Sequence, residues 1–163
     1  PNKCVKFGRK ARLLAPQSGA MGYGLPAAVA AKVAFPDRTV VCFVGDGDFQ
    51  MTCQELGTIM QAGVNVKIMI LNNEFLGMVR QWQQMFFDKR YSFTELDNPD
   101  FIKLAEAYSI KASKVSEREG LSEAVADMFL HDGPYFLEVV VEKEDNVFPM
   151  IATGCSVEEV RLS

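Results

Sequence analysis

The chain has 163 residues, 48% of them hydrophobic, and a formal net charge of −4. That length fits one compact domain and that hydrophobic share supplies a core, which argues against disorder. No dense Lys/Arg stripe offers a nucleic-acid surface, and apolar stretches of only strand length leave nothing to span a membrane.

The four cysteines, Cys4, Cys42, Cys53 and Cys155, show no CxxC or other metal-ligand spacing. Cys42 sits in an apolar run and Cys53 in a helical pattern, so both read as small packed side chains in a reducing, cytoplasmic setting. His131 is the only histidine, and with no cysteine cluster beside it this argues against a zinc site within the chain. The first residues are polar and basic, unlike a signal peptide. Pro1 in place of a methionine suggests a fragment of a longer protein.

In chain order, Lys3, Lys6, Arg9, Lys10 and Arg12 make a basic, solvated entry segment. Gly19, Gly22 and Gly24 form a glycine-rich turn. Leu25–Phe35 is Ala-rich and apolar on nearly all sides, which predicts a buried helix with Pro26 in its first turn. Thr39–Val44 reads as a parallel strand buried on both faces, followed by a sharp turn at Gly45-Asp46-Gly47-Asp48. Met51–Gln61 has helical periodicity, with Gly63 as its stop. Val66–Leu71 is a second buried strand, ended by Asn72-Asn73-Glu74. A helix follows over Leu76–Phe87, with Met78, Trp82 and Met85 at helical spacing. Asp97-Asn98-Pro99 starts a helix that runs through Tyr108. Ile110–Val115 is a strand, Leu121–Leu130 a helix and Tyr135–Val141 a strand. The tail, 142–163, is expected to be mostly irregular. This alternation predicts one α/β domain over 1–163, a three-layer parallel sheet with helices on both faces.

In such a sheet, ligands bind beyond the carboxyl ends of the strands. Two oxygen-rich loops leave those ends: Gly45-Asp46-Gly47 and Asn72-Asn73. If their strands are neighbours, Asp46 and Asn73 face one crevice. A carboxylate and an amide oxygen there suit Mg²⁺ carrying a phosphate. Gly45 and Gly47 allow main-chain N–H groups to approach phosphate oxygens, and the following helix points its positive end at the same place. A Gly-Asp-Gly alone is usually only a turn; the pairing with Asn-Asn after a second buried strand carries the signal. A P-loop fails at Gly47-Asp48-Phe49, and an EF-hand fails at Met51 and Gly57. Gly19, Gly22 and Gly24 do not have the Rossmann spacing.

Gly45-Asp46-Gly47, a linking helix and strand, then Asn72-Asn73 resembles the signature of thiamine-diphosphate enzymes. MGYGLPAA (21–28), GDGDFQMTCQELGTIMQAG (45–63), VKIMILNNEFLGMVRQWQ (66–83), RYS (90–92), NPDFIKLAEA (98–107) and VFPM (147–150) narrow the resemblance. They are similar to the C-terminal cofactor domain of the acetolactate synthase (acetohydroxyacid synthase) large subunit. The likeness runs from about Arg12 to the end. Ala15-Pro16-Gln17-Ser18 stands where that family has Ser-Gly-Gly-Leu, and the family's first strand has no counterpart.

The resemblance implies that Asp46, Asn73 and the Phe75 carbonyl hold Mg²⁺, with Gly45, Gly47 and Asp48 at the diphosphate. Met21 would lie under the cofactor and bend it, the Gly19 carbonyl would meet its amino group, and Met78 would line its cavity. Trp82 would face the second 2-ketoacid. The whole enzyme would be a transferase of branched-chain amino acid biosynthesis, joining pyruvate to pyruvate or 2-ketobutyrate. It would be a homo-oligomer, at least a dimer, with pyrimidine-binding and middle domains outside this chain. Any FAD would sit mainly on the middle domain. The chain alone would lack the glutamate that activates the cofactor, since Glu55 and Glu74 adjoin the diphosphate end. Rival readings are another thiamine-diphosphate decarboxylase or oxidase, and a non-catalytic binding or assembly module.

Overall fold

A computed structural model of the chain describes residues 12–162. Of the basic entry segment, Lys3, Lys6, Arg9 and Lys10 lie outside the described residues, as does Cys4. The elements in order are α1 (Gly24–Ala34), β1 (Val40–Gly45), α2 (Asp46–Gln50), α3 (Glu55–Ala62), β2 (Val66–Asn72), α4 (Gly77–Phe86), α5 (Phe101–Ala107), β3 (Lys111–Val115), a 3₁₀ turn at Arg118–Gly120, α6 (Leu121–Leu130) and β4 (Tyr135–Val140). A two-stranded ribbon, β5 (Met150–Ile151) with β6 (Val160–Arg161), follows in the tail.

β1 to β4 form one parallel sheet in the order β1-β2-β4-β3. Strand periodicity divides the core between the two faces of this sheet. On one face Ile68, Ile70 and Phe136 meet Leu25, Phe49, Leu56, Ile59 and Phe101 from α1, α2, α3 and α5. On the other, Met69, Tyr135, Leu137 and Val139 meet Met128 of α6. The expected three-layer α/β sheet with helices on both faces is therefore present.

Several local expectations change. β1 borders only β2 among the described strands, and Phe43 is 43% exposed, so this strand is not buried on both faces. α1 buries only the stripe Leu25, Ala28 and Val29, while Val33 and Phe35 are exposed; its apolar composition exceeds what one sheet face covers. The expected turn at 45–48 is instead the start of α2. The helix expected over Met51–Gln61 is interrupted at 51–54 by tight backbone bonds such as Thr52 N–H to Phe49 O and Glu55 N–H to Thr52 O. α3 then ends at Gly63, whose φ of +60° is the left-handed cap that favours glycine. α5 starts at Phe101 and not at Asn98, because Asp100 is its cap: the Asp100 carboxylate accepts the Lys103 N–H at 3.1 Å.

Candidate functional site

β1 and β2 run parallel in register, with Gly45 opposite Leu71, so the residues that follow them leave the same edge of the sheet. Asp46 opens α2 at this carboxyl edge and is 2% exposed. Burial is the largest influence on its carboxyl group and pushes its pKa upward. The influences that pull it down are a hydrogen bond from the Asn98 side chain and main-chain N–H groups of Gly47, Asp46 itself and Glu74. No lysine or arginine is among them. A carboxylate so desolvated, held by dipoles and without a cation among the described residues, is an arrangement that a bound cation would complete.

Asn73 follows β2 directly. Its side-chain oxygen accepts the Phe75 N–H at 3.2 Å, and the Asn72 oxygen accepts the Glu74 N–H at 3.0 Å. These two turns reverse the chain and place Glu74 at φ +57°, a left-handed conformation costing on the order of 1 kcal/mol for a residue with a side chain. The loop is fastened to the segment 94–98 by an isolated bridge between Phe75 and Glu95, by Leu76 N–H to Thr94 O at 2.8 Å, and by Leu96 N–H to Glu74 O at 2.8 Å.

Gly47 lies in the first turn of α2, under side chains from three other segments. A Cβ there would stand 2.8 Å from Leu76 Cδ2, 3.0 Å from Leu96 Cδ1 and 3.6 Å from Met21 Cε. Met21 and Gly47 are thus brought together, with Leu76, the residue after the Asn73–Phe75 loop, packed beside them and Met21 43% exposed. Gly45 joins β1 to α2 as the residue before its first turn. Gly19 is exposed in a turn, its N–H bonded to Pro16 O at 3.2 Å.

The Asp48 side chain has a structural part that its motif does not announce. It accepts the Gly22 N–H, and Thr52 Oγ1 donates to the Gly22 carbonyl at 3.0 Å. Together these bonds tie the glycine turn before α1 to the loop after β1.

Met78 and Trp82 project from α4 one turn apart, on the same side. Met78 is 53% exposed, and Trp82 stacks at 5.0 Å on Phe86. Neither belongs to the core. The buried positions of α4 are polar: Arg80 and Gln81. Gln81 exchanges hydrogen bonds with the main chain of Val147, and Arg80 donates to Asn146 Oδ1 at 2.7 Å, so the tail is docked on this helix. Glu55 accepts from Thr58 in the first turn of α3, an ordinary helix contact.

No group of three or more His, Cys, Asp or Glu side chains gathers among the described residues. A cation at this edge must therefore draw on amide and main-chain oxygens besides Asp46, a hard donor set of the kind Mg²⁺ takes. The residues present fit that ion.

Residues 2–139 match the family described as thiamine pyrophosphate enzyme, C-terminal TPP binding domain. The chain is 49% identical over 143 residues to the acetolactate synthase isozyme 2 large subunit of Escherichia coli, an alignment covering 87% of this chain and 26% of that protein. It is 50% identical over 141 residues to the mitochondrial acetolactate synthase catalytic subunit of Saccharomyces cerevisiae, covering 86% of this chain and 20% of that protein. Among solved structures, the thiamine diphosphate-dependent 4-hydroxybenzoylformate decarboxylase of Rhodococcus jostii RHA1 aligns with a TM-score of 0.74 at 32% identity, over 81% of this chain and 25% of that one. The chain spans about a quarter of the length of such relatives or less.

Proposed function

This chain belongs to the thiamine pyrophosphate enzymes, as a C-terminal TPP-binding domain, and from that membership we propose that it is the Mg²⁺-diphosphate half of the active site of an acetolactate synthase. The observation that carries this reading is Asp46: a buried carboxylate with no cationic partner among the described residues, at the carboxyl edge of a parallel sheet, beside the Asn73–Phe75 loop.

In this reading Asp46, Asn73 and the Phe75 carbonyl ligate Mg²⁺. Main-chain N–H groups at Gly47 and Asp48, in the first turn of α2, hold the diphosphate, and Gly45 lets the chain turn into that helix. Met21 supports the cofactor from below, the Gly19 carbonyl meets its aminopyrimidine, and Met78 lines its cavity. Thiamine diphosphate, when bound, supplies the electron sink for decarboxylating pyruvate and passing the remaining unit to a second 2-ketoacid. Trp82 faces that second substrate, pyruvate or 2-ketobutyrate, where a broad flat side chain discriminates by packing.

The rest of the enzyme, a transferase of branched-chain amino acid biosynthesis, lies in domains beyond this one. A pyrimidine-binding domain supplies the activating glutamate, and any FAD sits mainly on a middle domain. Residues 1–163 serve as one cofactor domain. Met21, Phe43 and Met51 are exposed apolar side chains near the site, and their cover by a second subunit favours at least a dimer. Cys42, Cys53 and Cys155 are free thiols, which suits a reducing, cytoplasmic setting. No helix among the described residues is long and apolar enough to cross a membrane. The higher identity to the synthases, 49% and 50% against 32% for the decarboxylase, favours the synthase among thiamine-diphosphate activities.

The test is titration of the full-length enzyme with thiamine diphosphate across a range of Mg²⁺, alongside product analysis with pyruvate. Wild type should bind the cofactor in a Mg²⁺-dependent way and form acetolactate. Asp46→Ala should lose the Mg²⁺-dependent part of that binding. Equal cofactor affinity in wild type and variant at every Mg²⁺ concentration would overturn the metal assignment.

A further inference from the structure

Asn98 lies beyond the two loops that carry the metal ligands, yet its side chain joins them. Its amide nitrogen has two hydrogens, and each has a separate acceptor: Asp46 Oδ2 at 2.7 Å and Asn72 Oδ1 at 3.0 Å. Its amide oxygen accepts from Gln50 Nε2 at 2.8 Å. The group is saturated in one orientation only, with the nitrogen toward Asp46.

The neighbours fix that orientation. Glu138 is a 2% exposed carboxylate on β4, paired with Lys114 of β3 at 2.9 Å. As an acceptor it takes the Asn72 amide nitrogen at 2.8 Å. Asn72 must therefore turn its oxygen the other way, toward the Glu74 N–H and Asn98. Asn98 must answer that oxygen with its nitrogen, and Gln50 holds it so. The result is one directed series across the strand ends, from Lys114 and Glu138 through Asn72 and Asn98 to Asp46. The residues Asn72, Asn98, Lys114 and Glu138 also line a cleft of about 1040 Å³ at this edge.

We propose that Asn98 is a positioning residue for the metal site: it grips one oxygen of the Asp46 carboxylate and, through Asn72, sets that ligand relative to the Asn73 loop. This rests on the reading of Asp46 as a Mg²⁺ ligand. The backbone bonds that pin 94–96 to the Glu74–Leu76 stretch bring Asn98 to its place. Hydrogen bonds to a ligating carboxylate orient it, and their removal typically weakens metal affinity about 10–100-fold. No proton transfer or metal bond by Asn98 is involved.

The experiment measures the Mg²⁺ concentration that half-saturates thiamine diphosphate binding in the full-length enzyme, by calorimetry, with thermal unfolding recorded for each variant. Asn98→Ala should raise that concentration by about 10–100-fold. Cofactor affinity at saturating Mg²⁺ should stay near wild type. Gln50→Met, which replaces a side chain that is not a proposed metal ligand and releases the Asn98 oxygen, should shift it in the same direction by less, and it carries the test if Asn98→Ala does not fold. Asp46→Ala is the reference. If Asp46→Ala loses Mg²⁺ dependence while Asn98→Ala and Gln50→Met keep the wild-type half-saturation, Asn98 is only structural and the inference is overturned. If Asp46→Ala itself keeps Mg²⁺ dependence, the metal site is elsewhere, and the inference falls with the reading it rests on.

Discussion

The Asp48 carboxylate accepts the backbone N–H of Gly22, a residue 26 positions earlier in the chain. Asp48 lies in the first turn of α2 and Gly22 in the turn that leads into α1. The bond therefore couples the segment bearing Gly19 and Met21 to the loop bearing Asp46 and Gly47. The second link, Thr52 Oγ1 to the Gly22 carbonyl, comes from the interruption between α2 and α3.

Asp48→Ala should accordingly destabilise the protein by about 2 kcal/mol, the usual range for a hydrogen bond to a charged group. Asp48→Asn keeps an acceptor and should lose less. Denaturant unfolding gives the energies, and amide exchange should quicken selectively at Gly22 in the Ala variant. Wild-type exchange at Gly22 would show that the bond does not hold the turn.

The reach of the sequence follows from what kind of information each feature needs. Val66–Leu71 was legible because a strand buried on both faces is mostly apolar; in β2, which lies between β1 and β4, only Lys67 breaks the run, and its ammonium donates to the His131 and Gly133 carbonyls. That Asp46 and the Asn73 loop leave the same sheet edge was legible because both follow apolar strand-length runs. The exposure of Phe43 was not, because it depends on strand order, which hydrophobicity does not encode. Asn98 looked only like part of a helix start; its value depends on a contact 52 positions away, to Asp46. Glu138 was hidden inside the strand Tyr135–Val141, where a lone carboxylate in an apolar run is a signal for a buried polar network. Likewise Met78 and Trp82 share helical spacing, which does not say which face turns inward; they stay outside the core because Arg80 and Gln81 take the inner face of α4 to bind the tail.

Cys42 gives a prediction about alkaline pH. The thiol is 3% exposed, and burial, followed by the negative charge of Asp48, pushes its pKa up to about 12 from the ordinary 9.0. The native protein should therefore resist alkylation at Cys42 at pH 8, while the exposed Cys155 reacts. Peptide mass spectrometry before and after denaturation reads this. The sign of the stability effect follows from the raised value. The folded state keeps its proton where the unfolded state has lost it, so this contribution is intact below pH 9.0 and is lost as pH rises through about 12. Cys42→Ala should remove that part of the alkaline decline. Ready alkylation of native Cys42 at pH 8 would contradict the burial that drives the shift.

Arg80 supports the last prediction. It is 2% exposed, yet the ion pairs among the described residues, Lys103–Asp100, Lys114–Glu138 and Lys143–Glu74, do not include it. Its guanidinium donates to Gln84 Oε1 at 3.2 Å and Asn146 Oδ1 at 2.7 Å, lies 5.9 Å from the Phe75 ring centroid, and leaves Nε buried without a partner. The desolvation of this charge is thus already incurred and, among the described residues, is met by neutral groups. Asn146→Asp would place a carboxylate at the shortest of these contacts. Because Asn146 is only half-buried, the new charge keeps part of its hydration, and a charge-assisted bond replaces a neutral one. The expected gain is about 1 kcal/mol, well below the value for a fully buried pair because desolvation of the carboxylate offsets part of it. Thermal unfolding of wild type, Asn146→Asp, Arg80→Met and the double variant isolates the pair as a coupling energy. Asn146→Asp should raise the Tm only when Arg80 is present, since without it the carboxylate has no buried partner. A Tm that falls with Arg80 in place, or a coupling energy near zero, would mean that the guanidinium is adequately met by Gln84, Asn146 and Phe75.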